Sequence, residues 1–324
     1  MSSHRVALVT GANGSIGNAV ARAFVRAGWK TFGLIRNASA ISLLSTQGII
    51  PISGSPSDLS FLNTLYSQSV TFDVIVSNTE QLDDYDTHFQ EILRMVRQLA
   101  EKSTEHGIRP LLMFTSGCKD YGQMDIENEN SKPHTEESPL NPPPVLAPRT
   151  KAARSLLSES TLDVVILRPT TVFGLGGSLY GPLFEIAERS QDGLIFHSHP
   201  KTMMHGLHLD DCGEAYVSIA QHAQRRDVMG QCFNISGHRY ETLDEVAAAV
   251  QREYGITRET KYEPKPLITT SYDKYTILTG FSQWVSSDKL RNLTGWKDEK
   301  ALFSEGIHIY RKEYEIAKTN SSSV

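Results

Sequence analysis

Three glycines recur at three-residue spacing near the start of the chain, between an apolar run and an amphipathic segment. Gly11, Gly14 and Gly17 follow the run Val6–Thr10, which is short and rich in β-branched and apolar residues, as a strand buried on both faces should be. Apolar residues then recur at helical spacing up to Gly28, which predicts a helix that ends there. In such a strand–turn–helix unit, backbone N–H groups and the helix dipole face an anion, and missing side chains allow it to approach closely. The segment therefore predicts a nucleotide pyrophosphate site rather than a plain tight turn.

The composition is that of an ordinary globular protein and excludes several classes of function. The chain has 324 residues, 39% of them hydrophobic and 21% charged. Its net charge of −5 does not favour binding to nucleic acid or to an anionic membrane. No run approaches the ~18 to 20 apolar residues of a membrane span, and we expect no signal peptide. Cys118, Cys212 and Cys232 are isolated, which favours a reducing, cytoplasmic location.

Apolar runs alternate with helical patterns through the first half of the chain. Predicted strands lie at residues 31–35, 48–52, 72–76, 111–115 and 164–167, and predicted helices at 87–105 and 150–158. Repeated βα alternation with uniformly apolar strands indicates an α/β fold, a Rossmann-type doubly wound parallel sheet.

This rhythm breaks near Gly174, which divides the predicted organisation into a dinucleotide-binding domain and a smaller lobe. The Rossmann domain is predicted at residues 1–173, a mixed substrate-binding lobe at 174–318 with a strand returning to the sheet near 231–235, and a flexible tail at 319–324. The lobe is predicted to hold helices near 182–189, 210–224 and 242–254. The stretch 122–148 contains six prolines, so no helix is expected to cross it.

The end of the second predicted strand indicates which dinucleotide is bound. An acidic residue there usually holds the adenosine ribose 2′-hydroxyl, but no Asp or Glu lies between Thr31 and Ser42. Arg36 stands there instead and would bind a 2′-phosphate with charge-assisted hydrogen bonds, unless it is a solvated surface arginine. The sequence therefore favours NADP(H) over NAD(H). Further cofactor contacts are expected from Asn13, Ser15, Ile16 and Asn37.

Other motifs follow the glycines in a fixed order, at residues 72–78, 114–122, 135–140, 167–174 and 208–211. With the glycine turn they cover roughly residues 5 to 250, and in this order and spacing the chain resembles the short-chain dehydrogenase/reductase superfamily, in its extended and atypical branch of NAD-dependent epimerase/dehydratase type. The resemblance implies that Pro169, Thr170 and Val172 line the nicotinamide, and that Ser77 and Asn78 pass under the cofactor.

The usual catalytic pair of this superfamily is absent. Its members use Tyr-x-x-x-Lys, in which the lysine lowers the tyrosine pKa so that the hydroxyl can protonate a forming alkoxide. At the expected place the sequence has Ala147 and Lys151, and the Tyr314–Lys318 match lies in the terminal helix, out of reach of the site. Gly117 replaces the superfamily's hydrogen-bonding serine or threonine.

Three residues are candidates for the missing catalytic groups. Tyr121 is either the acid beside the nicotinamide or a structural aromatic. Lys151 either binds ribose or substrate, or is an exposed helix lysine. Ser116 or its neighbour Thr115 can substitute for the missing serine, but a strand alternates its faces, so at most one of them points into the cleft.

Two further groups have structural and functional interpretations. Cys118 is expected to be a small buried hydrophobe rather than a reactive thiol. The histidine-rich stretch 197–208 lacks helical spacing and an accompanying carboxylate, so no metal is predicted, and Met203 and Met204 are expected in an apolar pocket or the core. The resemblance places residues 208–211 near the substrate, although an aspartate there also suits a helix N-cap.

The sequence thus predicts an NADP(H)-dependent oxidoreductase that acts on a small organic, apolar metabolite. The absent tyrosine keeps two alternatives open. One is a non-redox isomerase, cyclase or dehydratase with a structural dinucleotide, and the other is a dinucleotide-sensing protein. The expected partner is a small-molecule substrate, not nucleic acid or a membrane, and the sequence is compatible with a homodimer.

Overall fold

The computed structural model of the chain describes residues 5–176, 179–190, 193–267 and 273–321. Its strands are β1 Val6–Thr10, β2 Lys30–Ile35, β3 Ile50–Ser53, β4 Val74–Ser77, β5 Leu111–Thr115, β6 Asp163–Pro169, β7 Thr171–Phe173, β8 Ile195–Phe196, β9 Met203–Met204, β10 Gly206–His208, β11 Gln231–Ile235, β12 Glu241–Thr242 and β13 Lys261–Tyr262. Its α-helices are α1 Ser15–Arg26, α2 Ile41–Thr46, α3 Phe61–Tyr66, α4 Tyr85–Glu105, α5 Ala147–Leu156, α6 Gly181–Arg189, α7 Leu209–Ala220, α8 Leu243–Tyr254, α9 Lys274–Gly280, α10 Asp288–Thr294 and α11 Phe303–Ser321. Within the described residues, no helix is both long and apolar enough to cross a membrane.

The central sheet is parallel throughout and has the order β11-β6-β5-β4-β1-β2-β3. From β1 the chain builds outward through β2 and β3, then returns to the other side of β1 with β4. The order therefore reverses between β1 and β4, and in such sheets ligands bind outside the carboxyl ends of the strands at this point. The predicted doubly wound Rossmann-type sheet is confirmed.

Helices cover both faces of this sheet, because its strands carry apolar side chains in both directions. Along β1, Ala7 and Val9 belong to one core and Leu8, between them, to the other. Helices α1, α7 and α10 contribute to the first core, and α3, α4 and α5 to the second.

A third core lies between α6, α8 and α11 and contains many aromatic side chains. Phe303 lies at its centre, with its ring 4.5 Å from that of Tyr180 and 5.6 Å from that of Phe184. Elements after Gly174 also return to the main sheet: α7 packs on α1, and residues 231–235 form β11 beside β6. The domain boundary at Gly174 stays a prediction.

Several local predictions need correction. Helix α5 begins at Ala147, three residues before the predicted start at 150, because Pro148 stands in the first helical turn, where a proline needs no hydrogen bond. Helix α7 ends at Ala220, four residues early, and its N-cap is the side chain of His208 rather than an aspartate. Residues 319–321 of the predicted tail belong to α11, and 322–324 lie outside the described residues.

The contact between α1 and α7 depends on a glycine. A Cβ at Gly213 would lie 2.6 Å from the Ala19 carbonyl oxygen, so Gly213→Ala should lower the free energy of unfolding by about 1–3 kcal/mol through overpacking. Urea denaturation measures this. Gly181→Ala is the control, because its Cβ would meet only Tyr314 at 3.5 Å, and should leave stability equal or higher. Equal midpoints for both variants and the wild type would contradict this packing.

Candidate active site

The glycine turn joins the end of β1 to the N-terminus of α1. Gly11 has φ of +63°, a left-handed conformation that favours glycine, and Gly14 caps α1 without a side-chain hydrogen bond. A Cβ at Gly17 would lie 2.1 Å from the Gly11 carbonyl oxygen, so the turn can fold onto the helix only with glycine there. The first turn of α1, which lies wholly within the described residues, holds no acidic side chain. The N–H groups and dipole of this helix therefore suit an anionic group.

A cavity of about 320 Å³, here called the outer cavity, borders this turn. Its lining residues are Gly11, Asn13, Gly14, Leu34, Arg36, Gly54, Ser55, Pro56, Ser57, Asn78, Thr79, Glu80, Gln81, His88 and Glu91. Arg36 is the only arginine or lysine among these described residues, and Glu80 and Glu91 carry negative charge. Asn37 does not line the cavity, because its side chain caps the next turn by accepting a hydrogen bond from Ser39 N at 3.0 Å.

A second cavity of about 170 Å³, the inner cavity, lies at the carboxyl ends of β4, β5 and β6. Its lining residues are Ile16, Asn78, Thr79, Glu80, Tyr85, Thr115, Ser116, Gly117, Cys118, Lys119, Leu146, Arg149, Pro169, Thr170, Thr171, Val172, Leu179 and Gln283. Asn78, Thr79 and Glu80 line both cavities. The two cavities therefore adjoin, and together, from the glycine turn to the ends of β5 and β6, they are here called the cleft.

Buried polar atoms along this cleft have no hydrogen-bond partner in the described part of the protein. They are Asn78 Nδ2, Thr79 Oγ1, His88 Nε2, Arg149 Nε, Thr170 Oγ1, and Nε2 and Oε1 of Gln283. Buried polar groups are normally satisfied, so these atoms indicate a ligand with donors and acceptors of its own. A nicotinamide dinucleotide, with its hydroxyl, phosphate and carboxamide groups, meets that requirement.

Most of the residues predicted to bind the cofactor line this cleft. Gly11, Asn13, Gly14, Arg36 and Asn78 line the outer cavity, and Ile16, Asn78, Pro169, Thr170 and Val172 line the inner one. Ser15, Gly17, Asn37 and Ser77 are not among the lining residues. A role in binding remains a prediction for each of them.

Asp120 is fully buried beside the inner cavity and is the centre of a polar network. Its Oδ1 accepts hydrogen bonds from Thr150 Oγ1 at 2.8 Å and Arg149 Nη2 at 3.1 Å. Its Oδ2 accepts from Ser116 Oγ at 2.5 Å and from Arg168 Nε at 3.4 Å. One carboxylate thus balances two guanidinium groups that come from α5 and β6.

Arg149 occupies the place that a side chain at Gly117 would need. A Cβ there would lie 3.1 Å from Arg149 Nη2. The guanidinium also binds Glu80 Oε1 at 2.9 Å, and although burial opposes its charge, Asp120 and Glu80 raise the pKa of Arg149 above its usual value. Arg149 therefore stays charged in the wall of the cavity.

Tyr121, the predicted acid, does not line the cleft. Its hydroxyl donates to Asn234 Oδ1 at 2.7 Å and accepts from Arg168 Nη1 at 3.1 Å, and its ring stacks on His134. Burial raises the pKa of Tyr121, with the charge on Arg168 acting in the opposite direction. Its other interpretation, a structural aromatic, matches this geometry.

Of the other two predicted catalytic residues, Ser116 lines the inner cavity and Lys151 does not. Arg149 faces the cavity, and two residues further along a helix the side chain has turned by about 200°. Lys151 is accordingly exposed, in a separate depression beside Arg154. Ser116 does line the inner cavity, but its hydroxyl donates to Asp120.

Lys119 is a lining residue that sequence reasoning missed. Its Nζ donates to Thr171 Oγ1 at 3.2 Å and lies 4.7 Å from the centre of the Phe281 ring. Burial lowers the pKa of Lys119 from its usual value to about 8, and the charge on Arg149 acts in the same direction. Its position between the candidate residues Ser116 and Tyr121 indicates proximity to the site, but an isolated lysine after a strand is usually exposed to solvent, so the sequence alone does not select it.

The remaining candidates are structural. Cys118 is buried, its thiol donates to the Arg168 carbonyl at 2.8 Å, and burial raises its pKa. Met203 and Met204 are buried and line neither cavity. The segment 208–211 also does not line the cleft. Within the described residues, no group of three or more His, Cys, Asp or Glu is placed to hold a metal ion.

Comparison with known proteins agrees with this architecture. The sequence model of the "NAD dependent epimerase/dehydratase family" matches residues 7–236. An uncharacterized protein of Schizosaccharomyces pombe, C2A9.02, is 23% identical over 299 residues, which are 89% of this chain and 93% of the yeast protein.

Solved structures of two enzymes share the fold. A dTDP-glucose 4,6-dehydratase from Bacillus anthracis in complex with NAD superposes with a TM-score of 0.76 at 18% identity, over 97% of this chain and 98% of that one. A UDP-glucose 4-epimerase from Thermotoga maritima with UDP-glucose gives 0.73 at 16% identity, over 97% and 99%. The chain belongs to the NAD dependent epimerase/dehydratase family, a family of enzymes.

The Asp120 network predicts a large loss of stability when its charge is removed. Asp120→Asn leaves the buried Arg168 without its carboxylate partner and Arg149 with Glu80 alone, and should lower the free energy of unfolding by about 3–5 kcal/mol, measured by urea denaturation. Glu80→Gln is the matched control, since its side chain is 40% exposed and pairs with the same Arg149. It should cost about 1 kcal/mol or less. Equal losses in the two variants would contradict the central role of Asp120.

Proposed function

We propose that this protein is an NADP(H)-dependent oxidoreductase that acts on a small organic carbonyl compound or alcohol. The observation that carries the proposal is the cleft, which runs from the glycine turn and Arg36 to a cavity at the carboxyl ends of β5 and β6. A dinucleotide bound along it would place one end at Arg36 and the other among Pro169, Thr170 and Val172. When bound, the nicotinamide supplies or accepts a hydride.

Arg36 supports the choice of NADP(H) over NAD(H). It lines the outer cavity, and no carboxylate among the described residues forms a salt bridge with it, so the guanidinium can bind a 2′-phosphate. The Bacillus anthracis dehydratase was solved with NAD. The proposed preference would therefore distinguish this chain from that enzyme.

The size and lining of the inner cavity support a small, largely apolar substrate. Tyr85, Leu146, Val172 and Leu179 contribute apolar surface to a volume of about 170 Å³. The Thermotoga maritima epimerase was solved with a sugar nucleotide. Arg149, which could bind anionic groups of such a ligand, is already paired with Asp120 and Glu80.

The placement of Tyr121 favours a second candidate, non-redox chemistry with a structural dinucleotide. Its hydroxyl is bonded to Asn234 and Arg168, so Tyr121 does not replace the absent tyrosine as proton donor to a forming alkoxide. An isomerase, cyclase or dehydratase on this fold carries out no net hydride transfer, so it forms no alkoxide by hydride transfer that a tyrosine would have to protonate.

The cofactor preference is tested at Arg36. Arg36→Ala should weaken NADPH binding about 10- to 100-fold, since charge-assisted hydrogen bonds contribute about 1.5–3 kcal/mol, while the Kd for NADH changes less than about twofold. Fluorescence titration of the bound nicotinamide measures both. Arg226→Ala, a control on an arginine whose side chain is 82% exposed, should change neither constant. Tighter binding of NADH than of NADPH by the wild type would refute the preference.

The reaction class is tested by following nicotinamide absorbance and product together. A panel of small aldehydes, ketones and enones is incubated with the protein and NADPH, and the matching alcohols with NADP⁺. For an oxidoreductase, one dinucleotide should be converted for each product molecule. Product formed without an absorbance change, at the same rate with either redox form, would select the non-redox alternative.

A further inference from the structure

Lys119 is fixed at the inner cavity by two neutral contacts. Its amino group donates to Thr171 Oγ1 at 3.2 Å and lies 4.7 Å from the centre of the Phe281 ring. The side chain lines the cavity with Ser116 and Thr170. Ordering a lysine side chain costs about 1.5–2 kcal/mol of rotamer entropy. The two weak contacts of Lys119 offset only part of this cost, and a hydrogen bond to a ligand would offset more of it.

No carboxylate among the described residues forms a salt bridge with Lys119. Asp120, its neighbour in the chain, already accepts from four donors, and Glu80 pairs with Arg149. An ammonium group in partly buried surroundings without a counter-charge is costly. It becomes favourable again when a ligand brings an electron-rich oxygen.

The titratable and charged groups that face the same cavity come from three parts of the chain. They are Glu80 and Tyr85 from the segment after β4, Cys118 from the turn of Lys119 itself, and Arg149 from α5. The described residues of β7 and of the segment after α9 contribute neutral side chains there. Burial and the charge on Arg149 lower the pKa of Lys119 to about 8, while Cys118 acts in the opposite direction. The amino group can therefore gain and lose a proton near neutral pH.

The other proton donors considered are engaged or remote. The Tyr121 hydroxyl is bonded to Asn234 and Arg168, and the Ser116 hydroxyl donates to Asp120. Lys151 is exposed on the other side of α5. Lys119 thus combines access to the cavity with a proton that is not committed to a carboxylate.

We propose that Lys119 is a catalytic residue, whose amino group binds the carbonyl or hydroxyl oxygen of the substrate and exchanges a proton with it. This rests on the proposed function. In reduction the carbonyl carbon accepts a hydride from the dinucleotide, and the oxygen gains the C=O electron pair and takes a proton from the ammonium. The neutral amine then regains a proton from solvent. In oxidation the neutral amine removes the hydroxyl proton as the carbon loses its hydride to the dinucleotide.

The probe for this site is oxalate, whose carboxylate oxygens resemble a forming alkoxide. An oxyanion at Lys119 favours the protonated amine, so binding at pH 9 should take up a proton. With a pKa of about 8, most of the lysine is neutral at that pH, so the uptake should be a large fraction of one proton per bound oxalate. Calorimetric titration in two buffers of different ionisation enthalpy measures it, with and without NADPH.

Three variants separate proton exchange from charge alone. Lys119→Met should weaken oxalate binding at least tenfold and abolish proton uptake. Lys119→Arg should keep binding within about threefold but abolish uptake, because a guanidinium stays charged. Lys289→Met is the matched control: Lys289 also has one neutral hydrogen bond, to Gln231 at 2.8 Å, and one aromatic ring, Phe233 at 5.0 Å, but lines neither cavity. It should behave as wild type.

The assignment is overturned by any of three results: no oxalate binding by the wild type, binding that Lys119→Met leaves intact, or proton uptake that persists in Lys119→Arg. Titration of the same samples with NADPH is an independent measurement. Absence of dinucleotide binding would contradict the proposed function, whereas proton uptake linked to Lys119 in the sample without NADPH would still identify the oxyanion site.

Discussion

The buried carboxylate of Asp120 organises the site. Arg149 of α5 and Arg168 of β6 meet at it, and hydrogen bonds from Thr150 and Ser116 complete its coordination. Neither guanidinium could be buried alone without a large desolvation penalty, so the three charged side chains have to be buried together. The network joins α5, β6 and the turn after β5 into one unit, and in this way it fixes the wall of the inner cavity.

One departure from the family pattern, Gly117, is connected to Arg149 by a single contact. A Cβ at Gly117 would lie 3.1 Å from Arg149 Nη2, so a larger residue at 117 would force the guanidinium to shift from its place beside Asp120. The small residue at the strand end and the position of the arginine on α5 are therefore sterically linked. The guanidinium of Arg149 places a positive charge in the wall of the inner cavity, and this charge lowers the pKa of the neighbouring Lys119.

The fold could be predicted from the sequence because its signals are local. The β1 run, the glycine turn and residues 231–235 gave strands and a turn at their expected places, since apolar period and glycine geometry depend on neighbouring residues. The site could not be predicted in the same way. Whether Tyr121 faces the cleft or Asn234 depends on a contact between residues more than a hundred positions apart. Which side of α5 faces the cavity depends on the rotation of the helix about its axis.

An acid that works near neutral pH can be made in this fold by two opposite routes. A tyrosine has to be brought down from a pKa of about 10 by an adjacent cation, which is the arrangement lost here. A lysine starts at a similar value and is lowered by removal of water and by a neighbouring positive charge, and Lys119 has both. Arg149 serves the lysine route, and it also crowds a side chain at Gly117, where the superfamily has its hydrogen-bonding serine or threonine. The arginine that lowers the pKa of Lys119 therefore also restricts position 117 to a small residue, whereas the missing tyrosine concerns position 147 and is a separate change.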